Sequence, residues 1–164
     1  MSRWFRSYGF GEVGDRLLIG AYPLDTEDVT MLSRLHVSRV LNLVEDEEYP
    51  DGARQVAAAA LEEAAIAEER LPMTDYGGLP APVIEHVVGT VSDWLDEDQC
   101  VYMHCRAGWQ RSAALAAAVL ATRGGLDVEE AMAHVRARKP SAEPLPHQRE
   151  DLERWWQSRG ERSA

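Results

Sequence analysis

The chain has 164 residues, 45% hydrophobic and 27% charged, which suits one well-buried domain and leaves too little for two. Seventeen Lys and Arg stand against twenty-eight Asp and Glu, a net charge of −11. A surface of that sign repels nucleic acid and anionic membranes, so any anionic substrate must be captured by a local arrangement of donors.

From the start, MSRWFRSYGF lacks the apolar core of a signal peptide, and the longest apolar run, Ala113 to Ala121, falls far short of a bilayer span. A cytoplasmic protein without membrane insertion is the expectation. Arg16 to Gly20 (RLLIG) predicts a short strand, and Asp25 or Thr26 opens a helix with Val29, Leu32 and Leu35 inward. Ser38 to Val44 (SRVLNLV) suits a buried strand that the acidic loop Glu45 to Glu48 terminates. The strong helix formers of Val56 to Glu69 predict one scaffold helix, followed by a short strand at ERLPM and a loop at TDYGGLPAP.

Pro82 starts a helix whose inward face is Ile84, Val87, Val88, Val91 and Leu95. Cys100 to His104 is a compact apolar strand, and Ser112 to Arg123 is a helix so poor in polar residues that it must be buried. Val128, Ala131, Met132 and Val135 mark an amphipathic helix, and Leu152, Trp155 and Trp156 anchor a last one after KPSAEPLP. No repeat or linker divides the chain. Alternating strands and helices predict a single-domain α/β sandwich over residues 1–164, with its core at about 16–156 and a largely parallel central sheet. The first eight residues and Gly160 to Ala164 offer no recruitment domain.

Sites in such folds lie beyond the carboxyl ends of strands, where CRAGWQR joins strand to helix. A strand–loop–helix of this kind presents backbone N–H groups to an anion. A cysteine at its mouth, near a helix N-terminus and a guanidinium, ionises well below the usual value of about 8.5, and Arg111 can grip two phosphoryl oxygens at once. A cysteine closing an apolar strand is ordinarily core. The Gly-bearing turn, the Arg six positions on and the hydroxyl after it have no packing purpose. Cys100 has no such partners and reads as filler. Two cysteines make no disulfide framework, so reduced thiols are expected.

HCRAGWQRS matches the H-C-x5-R-S/T signature and so resembles the cysteine-dependent protein tyrosine phosphatases. The chain's compact length is similar to the dual-specificity branch. RLLIGAYP, SRVLNLV, LPMTD and ARKPSAEPLP fall in the order of that branch's other segments. The resemblance implies that Cys105 attacks phosphorus to form a phosphocysteine, Arg111 binds the phosphoryl oxygens, His104 helps hold the thiolate and loop, and Ser112 eases departure of the sulfur. It also requires a general acid on a separate loop, for which Asp75 is the candidate and Asp46 and Asp51 the fallbacks. Gly77 and Gly78 would let that loop close over substrate.

The substrate-binding loop is Arg106, Ala107, Gly108, Trp109, Gln110 and Arg111, with Tyr76 at the mouth. No metal or other cofactor is implied. Two departures stand out: Gln110 where a small residue is frequent, and the large Trp109 before it. Gln110 either strains the loop, if its φ is positive, or turns its amide to substrate or water. Near the closing helix, His147 and Gln148 stand where an Asn is common, and packing or capping suits both.

The expected substrate is a phosphorylated protein, carrying phosphotyrosine and also phosphoserine or phosphothreonine. A phosphoinositide or another small phosphomonoester is the alternative; Arg106 is the signature's one basic residue besides Arg111, which favours the phosphoprotein. A thiol redox or sulfurtransferase protein is the non-phosphatase rival, with Cys100 poorly placed as a resolving thiol.

Overall fold

Alternating side chains on three short strands build two cores at once. In the computed structural model, which describes residues 1–163, β2 (Leu17–Gly20), β5 (Val101–His104) and β3 (Arg39–Asn42) lie parallel at the centre of a five-stranded sheet. Ala164, the last residue of the C-terminal tail noted above, lies outside the described residues. Leu17, Ile19, Leu41, Val101 and Met103 join one apolar cluster, while Leu18, Val40 and Tyr102 join the other, the period of two expected of a pleated strand. The sheet order is β1-β2-β5-β3-β4. β1 (Phe10–Gly14) is antiparallel to β2, and β4 (Ala67–Arg70) is parallel to β3. The expected α/β sandwich with a largely parallel sheet is observed.

The first cluster is covered by α4 (Ala81–Asp96), α5 (Arg111–Gly124), α6 (Val128–Arg138) and α7 (Pro146–Ser163); the second by α1 (Arg3–Tyr8), α2 (Thr26–Arg34) and α3 (Ala53–Glu63). Asp25 caps α2 by accepting the Asp28 amide at 2.8 Å, as its position suggested. α5 is buried along most of its length. Its row of alanines, Ala113 to Ala118 around Leu115, lets the helix lie close against the sheet.

Two readings need correction. The Ala/Glu run is not one helix: α3 ends at Glu63, Ala65 turns with φ 59°, and the chain re-enters the sheet as β4. Pairing with β3 overrides the helix propensity of Ala67, Glu68 and Glu69, and the strand therefore lies earlier than ERLPM. The N-terminal segment, for which no element was predicted, forms α1 and β1. α1 is tied to the body by buried Phe5, by Ser2 donating to Asp28 (backbone N, 2.8 Å), and by Lys139 Nζ donating to the Tyr8 carbonyl at 3.3 Å.

His104 ends β5, fully buried. Its Nδ1 lies 3.1 Å from the Cys105 carbonyl; a carbonyl only accepts, so the proton is on Nδ1. Burial pushes its pKa down to about 4, whereas the unfolded chain takes up the proton near pH 6.5. The folded value is the lower one, so stability is lost as pH falls from about 6.5 towards about 4, at up to roughly 1.4 kcal/mol per unit. His104→Asn keeps a donor for the carbonyl and removes the titration. Between pH 7 and pH 5, denaturant unfolding should show wild type losing about 2 kcal/mol more than this variant. Equal losses would show that His104 does not govern the slope.

Candidate active site

The loop after β5 is shaped by a close approach of two backbones. Gly108 has φ 75°, and a Cβ there would fall 2.7 Å from the Cα of Gly20 at the end of β2, so only glycine serves. The loop is pinned on both sides: the Tyr22 amide donates to the Arg106 carbonyl at 3.2 Å, and the Glu143 amide to the Trp109 carbonyl at 2.8 Å. Gln110 has φ −118°, which removes the strain considered for it. Its Oε1 is buried without a partner among the described residues.

Cys105 sits at the base of this loop, 3% exposed, with Sγ 3.3 Å from Ser112 Oγ. Burial alone would raise its pKa. The Arg111 charge, the Ser112 hydroxyl and the amides of Ser112 and Gly108 outweigh burial and hold the thiol below its ordinary value. His104 reaches the Cys105 carbonyl, so it positions the backbone rather than touching the sulfur. Cys100 is half-buried against the second cluster, its Sγ 3.8 Å from the Leu35 carbonyl, and burial raises its pKa. Both thiols are free.

Arg111 is 1% exposed. Its Nη1 donates to the Met73 carbonyl at 2.8 Å, the Leu43 carbonyl at 3.3 Å and Glu48 Oε2 at 2.9 Å; Nη2 donates to Glu48 Oε1 at 2.7 Å and lies 3.4 Å from Asp75 Oδ1. Nε has no partner among the described residues, which leaves that edge for an oxyanion. Glu48 comes from the 3-10 turn Asp46–Glu48 after β3. It is fixed by the Glu45 amide at 2.9 Å and by Tyr22 Oη donating to its carbonyl at 3.1 Å. Burial would raise the Glu48 pKa; the hydrogen bonds and charge of Arg111 bring it below the usual value. The sequence reading took this turn as a strand terminator and its Asp46 as a fallback acid, and did not single out Glu48. The one signal was an acidic residue just beyond the strand that neighbours β5.

A cleft opens over the sulfur. Of the residues predicted for it, Cys105, Asp75, Tyr76, Arg106, Ala107, Trp109, Gln110 and Arg111 line it. Ser112 and His104 stand behind the loop, and Gly108 lies within it, its backbone packed against Gly20 and its amide at the sulfur. Asp46 instead pairs with Arg70, and Asp51 is exposed; neither lines the cleft. The loop carrying Asp75 turns at Tyr76, with φ 63°, rather than at its glycines. It is clasped from α7. His147 Nε2 lies 2.9 Å from the Tyr76 carbonyl, Gln148 Nε2 donates to the Gly77 carbonyl at 3.0 Å, and the Leu79 amide donates to Asp151 Oδ2 at 2.7 Å. Trp4 and Tyr8 of α1 complete the wall; a segment without apolar periodicity gave no sign of them.

Among the described residues, no group of three or more His, Cys, Asp or Glu is placed to hold a metal ion, and no helix is long and apolar enough to cross a membrane. No curated protein sequence matches the chain. Solved structures do. Tk-PTP in its active form is 23% identical, with 89% of this chain and 95% of that chain covered and a TM-score of 0.79. PTPMT1 in complex with PI(5)P is 23% identical, with coverage of 94% and 99% and a TM-score of 0.81. A mouse putative dual specificity phosphatase complexed with zinc tungstate is 20% identical, with coverage of 94% and 90% and a TM-score of 0.74. At these identities they establish the shared fold. The family model for the dual specificity phosphatase catalytic domain matches residues 17–158. The chain therefore belongs to the dual specificity phosphatase family of cysteine-dependent phosphatases.

Proposed function

We propose that the protein hydrolyses phosphomonoesters on phosphorylated proteins through a phosphocysteine at Cys105. The observation that carries this reading is the sulfur itself, held beneath the start of α5 by two amides and a hydroxyl, and facing a cleft that also contains Arg111 and Asp75. The dianion sits in the Cys105–Arg111 loop, gripped by backbone N–H groups and by Arg111. The thiolate attacks phosphorus in line, the bond from phosphorus to the leaving oxygen breaks, and the Asp75 carboxyl gives that oxygen its proton. Water then attacks phosphorus, the S–P bond breaks, and the Asp75 carboxylate takes the proton from water. Ser112 Oγ donates to the departing sulfur. Glu48 touches neither substrate nor sulfur; it fixes the Arg111 plane.

Among the described residues two cationic side chains, Arg106 and Arg111, line the cleft, beside four aromatic ones. That composition suits a single phosphate on a protein side chain, phosphotyrosine first and phosphoserine or phosphothreonine with it. The likeness to a phosphatase solved with PI(5)P supports a second reading, a phosphoinositide bearing few phosphates.

With p-nitrophenyl phosphate and a phosphotyrosyl peptide, Cys105→Ser and Arg111→Ala should abolish turnover. Asp75→Asn should slow the peptide by about 10²- to 10⁴-fold, and the aryl ester with its good leaving group much less. Residual turnover by Cys105→Ser would overturn the mechanism. The rate of Cys105 alkylation against pH should inflect below the roughly 8.5 of a free thiol; an inflection at or above that value counts against an activated sulfur. Glu48→Gln should lower kcat/KM on the order of 10- to 100-fold through a misplaced Arg111 while leaving that inflection below the free-thiol value. Unchanged kinetics would remove Glu48 from the machinery.

A further inference from the structure

We propose that α1, which precedes the family-matched region at residues 17–158, is the substrate-selecting wall of the cleft, with Trp4 and Tyr8 favouring aryl over alkyl phosphates. This rests on the phosphatase reading above and adds the element that sets its preference. Trp4 and Tyr8 pack with ring centroids 4.4 Å apart, and Tyr8 meets Trp109 of the anion loop edge-on at 5.2 Å. Three rings from two distant segments thus form one continuous face beside the sulfur. A phenyl ester can lie against that face with offset or edge contact, whereas a seryl or threonyl ester has no π surface to offer.

The wall is built into the catalytic loop rather than laid over it. Trp4 Nε1 donates to the Arg106 carbonyl at 2.7 Å, and the Arg106 guanidinium lies 4.8 Å from the Trp4 ring centre. The same carbonyl accepts from Tyr22. From behind, Lys139, 4% exposed, donates to the Tyr8 carbonyl. At the other end Ser2 holds Asp28. These anchors set the distance between the α1 rings and the phosphate cradle, and with it the size of group that reaches the sulfur.

The test compares kcat/KM on one peptide sequence carrying phosphotyrosine or phosphoserine, for wild type, Trp4→Leu, Trp4→Phe and Tyr8→Leu, each checked for thermal unfolding. In Trp4→Leu and Tyr8→Leu the tyrosyl-to-seryl ratio should fall about 3- to 10-fold, carried by KM. Trp4→Phe, which keeps a ring and loses the Arg106 bond, should restore most of the ratio. A ratio that stays at the wild-type value overturns the proposal whatever happens to absolute rates, as does a wild type that prefers phosphatidylinositol monophosphate micelles to the phosphotyrosyl peptide. Should Trp4→Leu fail to fold, the ratio for Tyr8→Leu decides. Failure of the underlying phosphatase reading shows separately, as no Cys105-dependent turnover of either peptide.

Discussion

A guanidinium with almost no access to water organises this molecule. Burying a charge of that size is unfavourable by several kcal/mol unless its donors are met. Arg111 meets those of its two Nη atoms with two carbonyls and a bidentate carboxylate, leaving Nε without a protein partner among the described residues. Each partner comes from a different segment: Leu43 follows β3, Glu48 belongs to the 3-10 turn, and Met73 leads into the loop bearing Asp75. The requirement to satisfy one cation therefore draws three chain segments to the end of β5. Cys105, the loop amides around it and Asp75 share a cleft because they share that ion.

Charge at two length scales is reconciled by the same construction. The chain carries −11 overall, yet the groups that hold the Cys105 thiol below its ordinary value are amides, a hydroxyl and a buried guanidinium. Fixed dipoles at hydrogen-bond distance act inside a medium that salt screens weakly, whereas the repulsive surface field fades over about 10 Å at 0.1 M salt.

The signature loop and the sheet around it were legible because they depend on local pattern. HCRAGWQRS names its own geometry, and RLLIG, SRVLNLV and CVYMH read as strands from their apolar content. Asp75 was named by the resemblance rather than by its Gly/Pro-rich loop, and it lines the cleft. Other features depend on distant pairing and left no local trace. Glu48 lies in a run of four acidic residues, Glu45 to Glu48, and nothing in that run distinguishes the one that faces Arg111. Trp4 and Tyr8 belong to a six-residue helix whose only buried side chain is Phe5, so no periodicity announces it. β4 is written in Ala and Glu, helix-forming residues that adopt a strand because β3 offers an unpaired edge. His147 and Gln148 serve through carbonyls some seventy positions away.

That same β4 has a bearing on solubility. It is the outer strand on its side of the sheet, so one row of its backbone groups has no strand to pair with. Its sequence, Ala-Glu-Glu-Arg, puts a charge at three of four positions, and Glu68 is clamped by Arg54. A second chain laid along that border would meet charged, ion-paired side chains, a means by which natural sheets discourage edge-to-edge growth. Residues that look ill-chosen for a strand thus work against sheet-to-sheet joining along this border.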